Sequence, residues 1–333
     1  MTNRIIIHLI DKEQGADPIL IPSANLIDIN DNINILTERL NDSFRKDEKV
    51  LRTEFTENRL AFQIGVRDFS ENNTDQVFLN FSNNSIARML DLLAGVNLAT
   101  GGYFVYIQYV YRNTNYVGVF VVRDIEQIIF DKSEDADNFT VDTTTVINTD
   151  KLAMAVRIDI DRLNADQPRY LHFTKKQSHQ SRYFIDWIEA ELADKSSDDT
   201  LALIHLINSL NDDEFPINPE TNARYESEDF RRHLLNHINS SGKIVRVKEL
   251  SNTYWQNEDF LIDKAEELGL DINGEFQGVD KFLRRLNAYE IKSGKVKLIF
   301  SQKDIDDGIV FKGDNNQIII NSDELSQAFD ELQ

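Results

Sequence analysis

The chain of 333 residues contains no cysteine. Without thiols it cannot form a disulfide framework, a cysteine-ligated zinc or iron–sulfur site, or a covalent intermediate on a cysteine nucleophile. The absence also suits a reducing compartment, where disulfides are rare. Any chemistry of this protein therefore has to use oxygen and nitrogen groups.

Long apolar runs are missing as well. No stretch approaches the roughly 20 apolar residues that span a bilayer, and near the first residue only Ile5 to Ile7 are apolar before His8. That run is too short for a signal peptide. With 41% hydrophobic and 10% aromatic residues, the composition is typical of a folded globular protein. The sequence predicts a soluble protein of the cytoplasm with no membrane partner.

The sequence also lacks the common signatures of phosphate-binding loops, zinc hydrolases, α/β-hydrolases and calcium loops. Its nearest approach to a metal pair is His233 and His237, four residues apart on a predicted helix. Leu234 stands where a zinc hydrolase would have glutamate, and the spacing suggests no third ligand. We therefore interpret the pair as part of an ordinary helix face and predict no metal, no cofactor and no enzymatic activity. A nuclease-like enzyme that uses the abundant carboxylates stays open as a hypothesis.

Basic residues are in the minority, with 36 Lys and Arg against 57 Asp and Glu and a net charge of −21. This balance argues against a strong, uniform attraction to nucleic acid or anionic lipid. The acids are concentrated in blocks, at residues 131–142 and 211–229. Two segments run the other way, since residues 167–185 hold four bases and no acid, and residues 281–303 hold seven bases and one acid. An anionic partner would bind in these two segments.

The first part of the chain combines β-rich runs with amphipathic helical spacing. Strands are predicted at Arg4–Ile10, Tyr103–Tyr111, Tyr116–Val122, Ala153–Ile160 and Arg169–Thr174. Helices are predicted over Leu26–Phe44 and Ile86–Leu93, and residues 131–142 are predicted to form an acidic loop. The two central strands form a hairpin around the turn at Asn113–Asn115.

From Ser178 the apolar period becomes helical. Helices are predicted from Ser178, at Leu201–Leu210, Glu228–Ile238, Asp259–Leu268, Val279–Tyr289 and Asp323–Leu332, with a strand at Lys295–Phe300 and a hairpin at Gly308–Asn321. The sequence thus predicts an α+β protein of two domains. Residues 1–195 form an antiparallel-sheet domain with flanking helices, and residues 196–333 form a helical middle with a small α/β end.

The first basic segment predicts an anion site. Its strand, with Arg169 near the start, delivers Lys175 and Lys176 to a loop before a helix, close to Arg182. Positive side chains oppose the dipole at a helix N-terminus unless an anion binds there. A phosphate would satisfy both the lysines and the free backbone N–H groups. The alternative is that these lysines are solvated or pair with nearby acids.

The second basic segment predicts a basic helix face beside a basic strand. A helical projection places Lys281, Arg284 and Arg285 opposite the apolar residues of Val279–Tyr289. Lys295 and Lys297 are predicted to share one face of the following strand. Bases from two elements could then converge on one anion. The alternative is an ordinary solvated face, although such a face in so acidic a protein should also carry acids.

Several stretches resemble the bacterial family of nucleoid-associated proteins known as NdpA or YejK. The residues that carry the resemblance are Gly101–Tyr111 with the return strand to Val122, Ala155–Ile160, Arg169–Lys175, Phe184–Trp187, Phe260–Gly269 and Gly308–Asn321. The resemblance implies a protein of the cytoplasm and nucleoid that binds double-stranded DNA with little sequence preference and forms a dimer. It also implies a link to type II topoisomerases. Arg169 and Lys175 match the family's pattern, whereas Lys176 stands where a glycine is common.

Three hypotheses follow. The first is a nucleoid-associated protein in which the bases of both segments touch DNA phosphates: Arg169, Lys175, Lys176, Arg182, Lys281, Arg284, Arg285, Lys295 and Lys297. The second is an acidic protein-interaction module that imitates DNA and acts on a DNA-handling enzyme such as a topoisomerase, or in phage defence. The third is the nuclease-like enzyme.

Overall fold

The structure, a computed structural model, describes residues 1–47, 49–132, 139–175, 182–192, 194–314 and 317–331. The chain divides into two compact units, Met1–Ala193 (unit 1) and Asp194–Gln333 (unit 2), whereas the sequence placed the division after Lys195. Unit 1 contains a large antiparallel sheet, and unit 2 combines helices with short two-stranded sheets. The predicted α+β class is thereby confirmed.

One antiparallel sheet of seven strands forms the centre of unit 1. Its strands are β1 (Thr2–Asp11), β2 (Ile19–Ile21), β3 (Val50–Thr53), β4 (Gly102–Tyr111), β5 (Thr114–Val122), β8 (Met154–Asp159) and β9 (Leu171–Thr174). They lie in the order β2-β1-β4-β5-β8-β9-β3. The pairing of β4 with β5, from Tyr103 opposite Val122 to Tyr111 opposite Thr114, confirms the predicted hairpin.

Helices cover both faces of this sheet. They are α1 (Asp31–Arg45), α2 (Ala61–Glu71), α3 (Asp75–Ala94), α4 (Ile160–Asn164) and α5 (Arg182–Ile188). Successive side chains of a strand point to opposite faces, so Phe104 and Tyr106 of β4 pack with Trp187 of α5, while Val105 packs with Phe44 of α1. Because both faces are buried, β4 and β5 read as nearly continuous apolar runs.

The ends of the helices differ from the sequence predictions for reasons of capping. Helix α1 begins at Asp31 rather than at Leu26, because the Asn30 side chain accepts a hydrogen bond of 3.1 Å from the Ile33 N–H. Helix α2 was not predicted, since no capping residue precedes Ala61. Its N-terminus is capped from elsewhere in the chain: the buried carboxylate of Glu189 accepts hydrogen bonds from the N–H groups of Leu60, Phe62 and Gln63.

Residues 131–142 were predicted to form an acidic loop, and this prediction is wrong for the described residues at both ends of the segment. Two long strands, β6 (Asp124–Lys132) and β7 (Phe139–Ile147), form a hairpin there, with Phe130 directly opposite Val141. Threonine, valine and isoleucine dominate β7, and such residues favour strands strongly enough to overcome the neighbouring acids. The segment between the two strands lies outside the described residues.

Unit 2 is built around seven helices of its described part and three short antiparallel pairs. The helices are α6 (Ser196–Asn208), α7 (Ser227–Ser240), α8 (Val247–Trp255), α9 (Phe260–Glu267), α10 (Asp280–Leu283), α11 (Gln302–Asp306) and α12 (Asp323–Asp330). The strand pairs are β10 (Ile244–Arg246) with β11 (Glu275–Gln277), β12 (Tyr289–Ser293) with β13 (Val296–Phe300), and β14 (Val310–Lys312) with β15 (Ile318–Ile320). Aromatic rings around Phe230 and Trp255, whose centroids are 5.5 Å apart, fill its core.

Two elements of the second basic segment are shorter than predicted. The helix predicted over Val279–Tyr289 consists of α10 and one 3-10 turn, Arg284–Leu286, because β12 already begins at Tyr289. Lys295 lies in the turn before β13 rather than on the strand, next to Gly294, whose φ of +58° suits glycine. Across the described residues, no helix is long and apolar enough to cross a bilayer.

Candidate nucleic-acid interface

A groove of about 700 Å³ in unit 2 brings together the bases of the second basic segment. Its walls are formed by α10, the 3-10 turn, the residues before β12, and single residues of α7 and β13. The lining residues are Leu235, Asp280, Lys281, Arg284, Arg285, Asn287, Ala288 and Ile299. Three of the predicted phosphate contacts therefore lie around one concave surface.

Two of these cations are held against one aromatic ring. The Nζ atom of Lys281 lies 5.4 Å from the centroid of the Phe282 ring, and the Arg285 guanidinium carbon lies 4.9 Å from it. Such cation–π contacts orient a cation without neutralising its charge. Among the side chains that the structure describes, no carboxylate forms an ion pair with Lys281, Arg284 or Arg285. These three residues thus keep the capacity to bind an external anion.

The one carboxylate in the lining is already engaged. Lys243 donates a hydrogen bond of 2.7 Å to Asp280, and this contact lowers the pKa of the Asp280 carboxyl below its ordinary value. Lys243, which does not line the groove, thereby neutralises the charge of Asp280. The remaining three bases give the groove a net positive charge within an acidic protein.

Part of the groove lining is apolar, and the chain is anchored where it leaves the groove. Leu235, Ala288 and Ile299 provide aliphatic surface in the lining. Directly after Ala288, the Tyr289 hydroxyl accepts a hydrogen bond from Asn208 Nδ2 and donates one to Gln302, both 2.7 Å long. Burial raises the pKa of this Tyr289 hydroxyl, so it stays protonated. The anchor fixes the chain where it leaves the groove.

The bases of the β12–β13 hairpin lie beside the groove rather than in its lining. Lys297 shares a strand face with Ile299, because residues two apart on a strand point the same way. Lys295 is exposed in the preceding turn. The prediction that both lysines lie on one strand face is wrong, since only Lys297 belongs to the strand.

The first basic segment is only partly described. Its strand and helix are present as β9 and α5, and between them Lys175 is exposed with its backbone N–H bonded to the Lys49 carbonyl at 2.9 Å. Arg182 is exposed at the first described residue of α5, and the predicted helix start at Ser178 lies outside the described residues. Lys176, and with it the predicted anion site, lies outside the described residues.

Arg169 does not belong to an exposed surface. Its side chain is only 5% exposed, and its backbone has a φ of +60°. The backbone N–H donates to Glu54 Oε1 at 2.8 Å, and the carbonyl is 2.8 Å from His172 Nε2. A phosphate on the surface would not reach the guanidinium, so the prediction that Arg169 touches DNA is incompatible with its burial.

The histidine pair on α7 packs among aromatic rings. His237 Nδ1 lies 3.0 Å from the Tyr254 hydroxyl, and the His233 ring lies 5.6 Å from that of Tyr225. Within the described part of the chain, no three histidines, aspartates or glutamates come together as a metal site would require. The pair thus packs against aromatic rings at the edge of α7, with His233 exposed and His237 partly buried.

Sequence reasoning missed the residues that keep the groove cationic. Phe282 was assigned only to an apolar helix face, although a ring next to Lys281 and three residues before Arg285 is a detectable signal for cation–π contacts. Lys243 gave no such signal, because it lies far from Asp280 in sequence and meets it only in the folded unit.

Comparison with known proteins identifies relatives over most of the chain. The family profile described as nucleoid-associated protein YejK matches residues 6–326. A nucleoid-associated protein of Vibrio campbellii is 20% identical over 268 residues, which is 78% of this chain and 77% of that protein. The YejK protein of Escherichia fergusonii is 20% identical over 306 residues, 90% of this chain and 87% of its own length. A nucleoid-associated protein of Photorhabdus laumondii is 24% identical over 234 residues, with 68% and 67% covered.

Proposed function

Because the chain belongs to the nucleoid-associated protein YejK family, we propose that it acts in the cytoplasm at the nucleoid by binding double-stranded DNA with little sequence preference. The observation that carries this proposal is the groove of unit 2. It brings Lys281, Arg284 and Arg285 together with apolar lining residues, and its one acid is held by Lys243. Arginine binds phosphate with two parallel hydrogen bonds, which suits such a site.

Little sequence preference follows from the shape of the elements around the groove. Reading base edges in the major groove usually requires a helix that presents several side chains along its length. Helix α10 has 4 residues and is followed by a 3-10 turn of 3 residues. Contacts from such short elements favour the phosphate backbone, which carries no sequence information directly.

Other exposed bases of either unit are further proposed contacts with DNA. Lys295 and Lys297 lie on the hairpin beside the groove, while Lys175 and Arg182 belong to unit 1. Lys176 is included from the sequence alone, and buried Arg169 is left out. These residues would add phosphate contacts without adding base readout.

The acidic balance limits the affinity but does not forbid binding. Exposed charges more than a Debye length apart, about 10 Å at 0.1 M salt, are largely screened from one another. A phosphate in the groove therefore responds mainly to the nearby cations rather than to the net charge of −21. Binding should be weak at physiological salt and should strengthen as salt is lowered.

We further propose that the protein acts as a dimer through the β6–β7 hairpin. One face of this isolated hairpin exposes Ile128, Phe130, Phe139 and Val141, each about two-thirds accessible. A two-stranded hairpin is marginal alone, and a second copy would cover this face. Two linked DNA-binding surfaces would also raise the avidity for one duplex. Sedimentation of Phe130→Asp/Val141→Asp should show a monomer–dimer equilibrium shifted towards the monomer relative to the wild type, and an unchanged equilibrium would exclude this face.

The proposal of DNA binding is tested by titrating the wild-type chain with two unrelated duplexes at several salt concentrations. We expect equal affinities for the two duplexes and a log affinity that falls linearly with log salt. A strong preference for one duplex would contradict phosphate-only contacts. Salt-independent binding, or no binding at low salt, would contradict the proposal.

The acidic block of unit 2, residues 211–229, supports a second candidate function. This is contact with a DNA-handling protein such as a type II topoisomerase, or a role in phage defence. Glu214 and Asp229 are paired with Lys264 and Arg232. The other acids of residues 211–229 are exposed: Asp212, Asp213, Glu220, Glu226 and Glu228. A dense acidic surface can imitate DNA for a basic partner. Replacing these five with Asn or Gln should abolish topoisomerase binding and leave DNA binding intact; retained topoisomerase binding would exclude the block.

A further inference from the structure

The last helix, α12, is an acidic amphipathic helix that nothing covers within the described residues. All of its residues are exposed, including Leu325 at 58% and Phe329 at 62%. These two side chains are four residues apart and lie on one helix face. Large apolar side chains on one face of an uncovered helix mark a contact surface rather than a solvated one.

The charges of α12 complement those of the basic groove. The helix carries Asp323, Glu324 and Asp330 and no base, whereas the groove carries three cations. At 3.6 residues per turn, Leu325 and Phe329 share one face of the helix. Ala328 lies at one side of this face, and Glu324 lies next to Ala328. Apolar residues on α12 would meet the aliphatic part of the lining, formed by Leu235, Ala288 and Ile299, and Glu324 on the flank would meet a cation of the groove.

We propose that α12 of one copy docks into the basic groove of a second copy and competes there with DNA. The apolar face of α12 and the basic groove are both exposed in a single chain, so each copy can bind the helix of the other. A reciprocal exchange closes at two copies and leaves neither surface exposed. The contact masks the same cations that the proposed function assigns to phosphate, and thus regulates that site. It is separate from the β6–β7 face.

The test uses the absence of cysteine from the chain, because any disulfide then reports only introduced pairs. A tagged Ala328→Cys protein is mixed with an untagged Ala288→Cys protein under mild oxidation. Since each chain has a single thiol, a tagged–untagged disulfide arises only between copies. The matched control is Ala223→Cys, an exposed position of unit 2 that does not line the groove.

We expect the Ala328→Cys and Ala288→Cys proteins to cross-link and the Ala223→Cys control to remain largely uncross-linked. Adding Phe329→Asp to the Ala328→Cys protein should abolish the cross-link by placing a charge on the apolar face. Equal cross-linking to Ala223→Cys, or a yield unaffected by Phe329→Asp, would overturn the proposal. The proposal would also be overturned if a chain carrying both Ala328→Cys and Ala288→Cys formed a disulfide only within itself.

A second arm separates this inference from the proposed function. If DNA binds in the groove, excess duplex should suppress the cross-link, and Leu325→Asp/Phe329→Asp should tighten DNA binding about threefold when two-thirds of the grooves are occupied by α12. A cross-link that duplex DNA does not suppress would support α12 docking and contradict DNA binding in the groove. DNA binding unchanged by Leu325→Asp/Phe329→Asp would contradict the competition.

Discussion

Lys243 holds Asp280 in an ion pair, with the lysine Nζ atom 2.7 Å from the carboxylate Oδ2 atom. Both side chains are partly exposed, so the pair itself adds little to folding stability. The ion pair instead affects the electrostatic potential in the groove. Asp280 also interacts electrostatically with Arg284, and the hydrogen bond that it accepts from Lys243 limits its pairing with that neighbouring cation.

We predict that Lys243→Ala weakens DNA binding by more than the loss of one distant charge would. The released Asp280 carboxylate would pair with groove cations and repel phosphate. Asp280→Asn in the same chain should restore the affinity, and Asp280→Asn alone should raise it. Filter-binding or anisotropy titrations of the four proteins form the double-mutant cycle. Equal effects of Lys243→Ala with and without Asp280→Asn would show that the ion pair has no influence on the groove.

His8 predicts a pH-dependent stability of unit 1. The residue is fully buried, its Nδ1 accepts a hydrogen bond of 3.1 Å from the Ser23 N–H, and burial lowers its pKa to about 4. The unfolded chain, with an ordinary pKa near 6.5, therefore takes up a proton before the folded chain does. Stability is full above pH 6.5 and is lost as the pH falls towards 4.

We expect His8 to account for about 2 kcal/mol of the stability lost between pH 7 and pH 5. His8→Gln keeps an acceptor for Ser23 but does not titrate. Denaturant unfolding of both proteins at both pH values isolates this contribution, because the other titrating groups cancel in the difference, including His172, whose pKa burial also lowers. Identical pH dependence of the two proteins would refute the assignment.

The buried Glu189 side chain, which belongs to no proposed DNA contact, leads to a prediction about folding stability. Glu189 is 3% exposed as a whole residue, and its carboxylate accepts hydrogen bonds from the N–H groups of Leu60 and Phe62 at 2.7 and 3.1 Å. Glu189→Ala leaves these donors without their acceptor and should destabilise the fold by about 2 kcal/mol. Glu189→Gln should cost less, and the exposed neighbour variant Glu191→Ala should be near neutral. Denaturant unfolding measures all three; a neutral Glu189→Ala would contradict the capping role.

Lys175 and Lys176, after β9, lead to a prediction about the salt dependence of DNA binding. Lys175→Ala/Lys176→Ala should flatten the slope of log affinity against log salt by up to about 1.8 if both lysines touch phosphate. The preference among duplexes should not change. The control is Lys46→Ala/Lys151→Ala, two exposed bases elsewhere in unit 1. A slope equal to that of the wild type would show that Lys175 and Lys176 do not contact DNA phosphates.

The sequence predicted the parts of the fold that local patterns encode. The β4–β5 hairpin is flanked by aromatic and β-branched runs around a turn signal, and its bounds were predicted nearly to the residue. Helix α2 could not be predicted, because its cap is Glu189, more than a hundred residues away. Long-range capping leaves no local trace, so propensity alone underestimates such a helix.

For the candidate site too, the features set by local sequence could be predicted and those set by long-range contacts could not. Helical spacing placed Lys281, Arg284 and Arg285 on one surface, since charge patterning is local. Burial of Arg169 was not visible, because its strand neighbours gave only an alternation of apolar and polar residues. The pairing of Lys243 with Asp280 joins an exposed lysine to a helix start across unit 2, and only the folded chain brings them together.

The most direct test of DNA binding in the groove is the salt dependence of Arg284→Ala/Arg285→Ala, compared with Lys303→Ala/Lys312→Ala. The second pair removes the same charge from exposed bases of unit 2 that do not line the groove. Our account predicts that the groove variant loses up to about 1.8 from the slope of log affinity against log salt while the control keeps the wild-type slope. Equal slopes for the two variants, with both proteins folded by circular dichroism, would contradict it.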